Sequence, residues 1–296
     1  MKNYIVRGLA ANKSIRVFGA VTTDMVEKAR EIHGTTPVAT AALGRLITAG
    51  SMMGYMLKGD NDTLTLQVRG VNEIKSIVAV SNSKGYVKGY ISDPYIDVKL
   101  NEKGKLDVGG AIGKNGKLIV IKDLGLKEPY VGQSNLITGE IAEDIAAYYM
   151  YSEQQPSVVS LGVLLNTDGS VKAAGGFIIQ PLPDVEEEVL IKLEEAIKDV
   201  TPVTSMIDKG MTAEEILKNV LKDFDVEIIE DKKVDFMCDC TREKLEKALI
   251  SIGEKELRDI IEEDGKAELK CHFCNKKYMF NKEELTQLLD YALGNK

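Results

Sequence analysis

The sequence predicts an α+β fold in three parts: an N-terminal domain with mixed sheet and helices over 1–183, an acidic helical linker over 184–231, and a small C-terminal unit over 232–296. Three observations predict it. Strand-like runs in the first part do not alternate regularly with helices, which argues against a doubly wound parallel sheet. Charge is unevenly divided: 1–183 hold 20 basic and 17 acidic side chains, 184–231 hold 5 and 15, and 232–296 hold 13 and 14, so the middle part carries −10 in a chain whose total is −8. Cysteine is absent from the first two parts and appears four times in the last.

The elements follow in order. Tyr4–Leu9 and Ile15–Val21 are strand-like and separated by the turn residues Ala11 to Ser14. Asp24–Ile32 has helical patterning, and Thr36 with Pro37 at the first helical position opens a second helix of small residues running to Leu57. Short strands are expected where Leu64, Leu66 and Val68 alternate, and at Ile74–Val80, Tyr86–Ile91, Lys117–Lys122, Tyr130–Thr138, Val158–Leu165 and Val171–Ile179, with a helix over Ile141–Ser152. In the linker, Val189, Leu190, Leu193, Ala196, Ile197 and Val200 fall on one helical stripe. A second helix over Ala213–Phe224 is announced by Thr212 and Glu215, a capping box. Helices over Arg242–Ile252 and Glu254–Glu263, strands at Ala267–Cys271 and Tyr278–Phe280, and a closing helix capped by Asn281 with Glu284 complete the chain.

Composition excludes several classes. With 44% apolar and 28% charged residues the chain is not disordered, and a net charge of −8 has the wrong sign for a nucleic-acid coat. The weakly charged stretch Pro37 to Leu57 is rich in Ala, Gly, Thr and Ser and carries Arg45 near its middle, so it reads as a helix packed closely in protein rather than a membrane span. Nothing between Met1 and Ala20 resembles a signal-peptide core, and a cytoplasmic location is expected.

Chemistry is concentrated in the cysteines. Cys238 and Cys240 form a Cys-x-Cys pair, and Cys271 and Cys274 form a Cys-x-x-Cys pair after an intervening stretch of helices. Four thiolates so spaced suit one tetrahedral zinc, and the spacings differ from those common in iron–sulfur proteins. His272 is expected outside the ligand set. Alternate residues of an extended chain point to opposite faces, so the chain must bend at Asp239 for both sulfurs to reach one ion. Spacing alone leaves two roles open: an inert stabilising metal, or thiolates that react with oxidants such as peroxide and then pair as disulfides. Similarly, the linker could be a well-docked pair of surface helices or a segment poised between docked and released, since its charge repels itself.

The sequence resembles the redox-regulated heat-shock holdases, the thirty-three-kilodalton chaperonins of bacteria, along its whole length. The resemblance is carried by His33-Gly34-Thr35-Thr36-Pro37, Ala41-Ala42-Leu43-Gly44-Arg45, Asp123-Leu124-Gly125 and Gly139-Glu140-Ile141-Ala142. It continues through Ser152-Glu153-Gln154-Gln155-Pro156-Ser157 and Gly175-Gly176-Phe177-Ile178-Ile179-Gln180 to the cysteine pattern, which is the most specific part. The resemblance implies an ATP-independent chaperone that protects unfolding client proteins during oxidative stress and is not an enzyme. It implies one zinc on Cys238, Cys240, Cys271 and Cys274 in an inactive reduced form. Oxidation is then implied to pair Cys238 with Cys240 and Cys271 with Cys274, release the ion, unfold the terminal domain, loosen the linker and produce dimers.

Rival readings are weaker. Gly109-Gly110-Ala111-Ile112-Gly113-Lys114 suggests a phosphate loop, but the first glycine of that motif would fall on Val108 and Asn115 stands where Ser or Thr is required. His33 has no partner that sequence can place beside it, and is expected to be structural, as Arg45 is expected to be a paired buried charge. A zinc-ribbon module binding nucleic acid or a transcription complex draws slight support from Lys276 and Lys277, and is opposed by the terminal unit's net charge of −1.

Overall fold

A computed structural model describes residues 3–102 and 104–294 and divides the chain into two compact units, 1–237 and 238–296. The first unit contains β1 (Tyr4–Ala10), β2 (Ile15–Val21), α1 (Thr23–His33), α2 (Pro37–Tyr55), β3 (Thr63–Arg69), β4 (Ser76–Asn82), β5 (Val87–Ile91), α3 (Val108–Ile112), β6 (Lys117–Asp123) and β7 (Tyr130–Asn135). It continues with α4 (Ala142–Tyr151), β8 (Val158–Leu165), β9 (Val171–Pro181), α5 (Glu187–Lys198), α6 (Val203–Asp208), α7 (Ala213–Val220) and β10 (Glu227–Lys233). Two antiparallel five-stranded sheets result, in the orders β10-β1-β2-β9-β8 and β5-β4-β3-β6-β7. The α+β class expected from the sequence is what the chain adopts.

Helix α2 lies between the two sheets, touching β3, β4 and β5 of one and β2, β8 and β9 of the other. It is buried on all sides, which explains its lack of polar periodicity: a helix covered all round needs small residues rather than a charged face. Gly44 shows how close the approach is, because a Cβ there would stand 2.6 Å from Val26 Cγ1 and 2.7 Å from Val163 Cγ2. A Gly44→Leu chain should therefore lose about 1–3 kcal/mol of stability through overpacking. The check is a lower urea midpoint for the first unit, with the metal content of the second unchanged.

The strands of the first sheet alternate between two cores. Ile5, Phe18, Ala20 and Ile178 face α2, whereas Val6, Ile15, Val17, Phe177 and Ile179 face the opposite way. That second face is covered by residues of the 184–231 segment: Leu193 of α5, Val203, Met206 and Ile207 of α6, and Ile216, Leu217, Val220 and Leu221 on and after α7. The capping box expected at Thr212 is present, with Thr212 Oγ1 accepting from the Glu215 amide at 3.2 Å and Glu215 accepting from the Thr212 amide at 2.8 Å. The Tyr4 hydroxyl accepts from the Ala213 amide at 2.9 Å and donates to Glu214 at 2.9 Å, pinning the start of α7 to β1. Burial first, and then the Glu214 carboxylate, push that phenol up to about 12.

The segment is not wholly helical as the sequence suggests. Glu227–Lys233 forms β10, pairing with β1, with a register shift at Arg7 and Gly8. Its sequence lacks period-two alternation, and its pairing depends on the partner edge of β1. Short α6 also escapes the pattern, having too few residues to show a period. The Gly109–Lys114 stretch is the short helix α3 and the turn at Gly113, with Asp107 Oδ1 capping the Gly110 amide at 2.8 Å.

The second unit consists of α8 (Arg242–Ser251), α9 (Glu254–Asp259) with one wider turn over Ile260–Asp264, β11 (Lys266–Lys270), β12 (Lys277–Asn281) and α10 (Lys282–Ala292). Its small core is built on buried Leu249, Leu257, Ile261, Tyr278, Phe280, Leu285 and Leu289, with Leu245, Ile260, Ala267, Leu269 and Leu288 half-buried against them. No helix among the described residues is long and apolar enough to cross a membrane.

Candidate metal centre

The four cysteines come from two places. Cys238 and Cys240 lie on the irregular segment that enters the second unit, and Cys271 and Cys274 lie on the turn joining β11 to β12. That turn is closed by the Asn275 amide donating to the Cys271 carbonyl at 2.8 Å and the Cys271 amide donating to the Lys276 carbonyl at 3.0 Å. Asn275 sits in the left-handed region at φ 59°, where a short amide side chain is tolerated. The entry segment is held by Tyr278, whose hydroxyl donates to the Cys240 carbonyl at 3.1 Å and lies 3.3 Å from its sulfur.

All four sulfurs lie within 4.8 Å of one another and form a group that could hold a metal ion. The Sγ atoms of Cys238 and Cys271 are 3.7 Å apart and those of Cys240 and Cys274 are 3.3 Å apart. A tetrahedron with Zn–S bonds of about 2.3 Å has sulfur–sulfur edges of about 3.8 Å, so the cluster has the size zinc requires. None of the four is in a disulfide. The expectation that one ion could meet both sulfurs of the Cys-x-Cys pair is compatible with this geometry. His272 is exposed and lies outside the group.

The electrostatics also favour a cation. Burial raises the Cys238 and Cys274 thiols above the ordinary range, with neighbouring sulfurs adding to the effect. Burial acts upward on Cys240 too, but hydrogen bonding from Tyr278 and the other thiols brings it down to about 7. The Tyr278 hydroxyl, bonded to that sulfur, is held up to about 12. Four thiolates packed this closely would repel one another and need a compensating positive charge. Cys271 is buried and the other three are half-buried, so small oxidants can reach the cluster.

Supports hold the ligand turns in place. Arg242 at the start of α8 donates to the Met279 carbonyl at 3.0 Å and to Glu284 at 2.6 Å, and its guanidinium carbon lies 4.2 Å from the centre of the Phe280 ring. Asn281 and Glu284 form the expected capping box at α10, with both reciprocal bonds at 2.9 Å. Asp239, between the first two cysteines, pairs with Lys244. No sequence signal marked Arg242 or Tyr278, because each acts through a contact distant along the chain.

The other singled-out residues take structural positions. His33 Nε2 is 2.9 Å from the Gly89 carbonyl, and its ring meets Phe236 edge-on at 6.4 Å between centroids. Arg45 pairs with Glu140, whose other carboxylate oxygen accepts from the Gly109 amide at 3.1 Å. The Gly139–Ala142 motif is held by buried Asp144, which accepts from the amides of Ile137, Thr138, Gly139 and Ile141. Gln180 joins two strands, accepting from Arg16 Nε at 2.8 Å and donating to Ser157 Oγ at 2.7 Å.

A family model described as Hsp33 protein matches residues 3–281. A 33 kDa chaperonin of Alkaliphilus oremlandii is 56% identical over 294 residues, covering 99% of this chain and 98% of its own. A 33 kDa chaperonin of Clostridium botulinum (strain Langeland) is 49% identical over 296 residues, covering 100% of both. The crystal structure of the Thermotoga maritima 33 kDa chaperonin, a heat shock protein 33 homolog, matches with a TM-score of 0.89 at 36% identity, covering 99% of this chain and 100% of that one.

Proposed function

The chain belongs to the Hsp33 family, and on that premise we propose that it is an ATP-independent chaperone that holds unfolding client proteins and is switched on by oxidation. The observation that carries the reading is the group of four disulfide-free cysteine sulfurs within 4.8 Å of one another, on a unit whose own core is small. Cys238, Cys240, Cys271 and Cys274 would hold one zinc. When bound, the ion keeps its ligands as thiolates, the form that attacks peroxide.

The chain's own chemistry then makes the switch. A thiolate attacks peroxide, breaking the O–O bond and leaving a sulfenic acid and water after proton transfer; a neighbouring thiol displaces water from the sulfenic acid and closes a disulfide. Following the family, the pairs are Cys238 with Cys240 and Cys271 with Cys274, which leaves no thiolate set for the ion. The second unit loses its fold. Residues 184–231 then act as the metastable linker between a 1–183 core and a 232–296 switch domain, and their release bares Val6, Val17, Phe177 and Ile179 to clients. We further infer a cytoplasmic protein that dimerises when oxidised, uses no catalytic residue and has no nucleic-acid partner.

The test is one oxidation time course read two ways. Peroxide should remove one zinc per chain and, with the same half-time, confer suppression of light scattering by a denaturant-unfolded client. Equal suppression by reduced and oxidised chains would overturn the switch. Retention of zinc after all four thiols have reacted would assign the metal an inert role, and salt-dependent RNA or DNA binding by the chain would favour the zinc-ribbon reading.

A further inference from the structure

The client-binding reading can be sharpened to a place and a mode. The two outer strands of the first sheet are protected very differently. Strand β10, at one end, carries Glu227, Glu230, Asp231, Lys232 and Lys233, the charges that commonly keep an edge from pairing with another chain. Strand β8, at the other end, reads Val-Val-Ser-Leu-Gly-Val-Leu-Leu, with neither a charge nor a proline. Among the described residues it pairs only with β9. An antiparallel edge of this kind presents a row of backbone donors and acceptors on its free side.

The free side opens on a groove of about 800 Å³ lined by consecutive residues from Ser160 to Thr167. The facing wall includes Val98 and Leu100, apolar side chains left 58% and 62% exposed. Another wall is the start of α6, where Thr204 lies so near the strand that a Cβ on Gly162 would stand 2.5 Å from its Cγ2. Arg45 and Lys105 are the charged side chains on the groove; Arg45 is paired with Glu140, so the exposed Lys105 is the cation an occupant meets. A bare hydrogen-bonding edge facing a bare apolar wall suits an extended chain, because a strand can satisfy the edge while its alternate side chains meet the wall. A folded surface or a helix would leave the edge unpaired. That cation favours a segment with a carboxylate flanking its apolar stretch.

We propose that β8 takes an extended, apolar, acid-flanked segment of a non-native polypeptide as an added strand of the sheet. The proposal rests on the chaperone reading above and adds to it a regulated geometry. One wall of the groove, α6, belongs to the 184–231 segment, so release of that segment widens access to the edge.

The test uses the full peroxide-treated chain and a fluorescent, proline-free apolar peptide with an acidic residue at each end. A second peptide of the same sequence has alternate amides N-methylated, which removes backbone donors along one side and keeps every side chain. The plain peptide should bind at least about tenfold more tightly than the methylated one. Ser160→Lys, which places a charge on the edge, should weaken the plain peptide to a similar degree while zinc release on oxidation is unchanged. Equal binding of the two peptides by the unaltered chain overturns the proposal whatever Ser160→Lys does. Loss of self-association in Ser160→Lys with peptide binding intact would assign the edge to a second copy of the chain and also overturn it. Light scattering with an unfolded client, run on the same sample, separates the two readings. Failure to suppress aggregation counts against the chaperone reading, whereas full suppression with equal peptide binding counts against the edge alone.

Discussion

A Cys271→Ser chain should lose its metal and the fold of residues 238–296 together, while the 1–183 core keeps its structure. The second unit's core rests on Leu249, Leu257, Ile261, Tyr278, Phe280, Leu285 and Leu289, and a core of that size contributes about 3–5 kcal/mol at most. A structural zinc contributes an apparent ~10–16 kcal/mol to units of this kind. The metal is thus the larger quantity, and the remaining contacts do not replace it. Cys271 is the informative position because it is the buried member of the four and its backbone closes the turn between β11 and β12. Serine matches its shape closely, so the loss would follow from the missing thiolate rather than from a cavity. Hydrogen exchange should show the amides of β11, β12 and α10 unprotected in Cys271→Ser, and equally in the chelator-treated parent, with α2 protected in both. Slow exchange in β11 and β12 of a zinc-free chain would contradict this account.

The legibility of the fold followed the range of the interactions that make each element. Strands with strong local patterns, such as Tyr4 to Leu9 and Val158 to Leu165, and helices with caps at Thr212 and Asn281, were readable because their determinants lie within a few residues. Strand β10 was not readable, because what makes it a strand is the edge of β1 more than two hundred residues earlier in the chain. The cysteine cluster was legible from spacing because thiolate pairs and a short turn are local features. Tyr278 and Arg242 were not, since their roles consist of a hydroxyl placed on the Cys240 carbonyl and a guanidinium laid on Phe280. The glycine-rich motifs became intelligible only with coordinates: Gly44 permits the approach of α1 and β8 to α2, and Gly19 permits the approach of Leu217.

That last contact carries the second large effect. Leu217→Ala should loosen the 184–231 segment in the reduced chain and give it client-holding activity without oxidant. Leu217 is fully buried against the outer face of the first sheet, where a Cβ on Gly19 would lie 3.1 Å from its side chain, so its truncation opens a cavity at that contact. Such a truncation costs about 2–5 kcal/mol. At about 1.4 kcal/mol per factor of ten, opening of α6, α7 and β10 becomes roughly 30-fold to several thousand-fold more frequent. The segment's net charge of −10 pushes in the same direction, because its carboxylates repel one another whether or not Leu217 is present. Added salt should therefore restore part of the lost protection in Leu217→Ala by screening that repulsion. Amide exchange across residues 203–233 reads the opening, native mass spectrometry should still find one zinc, and light scattering reads the client. If those amides open as expected and the reduced chain still fails to hold a client, baring the outer face of the sheet is not sufficient and unfolding of the cysteine unit must contribute a surface of its own.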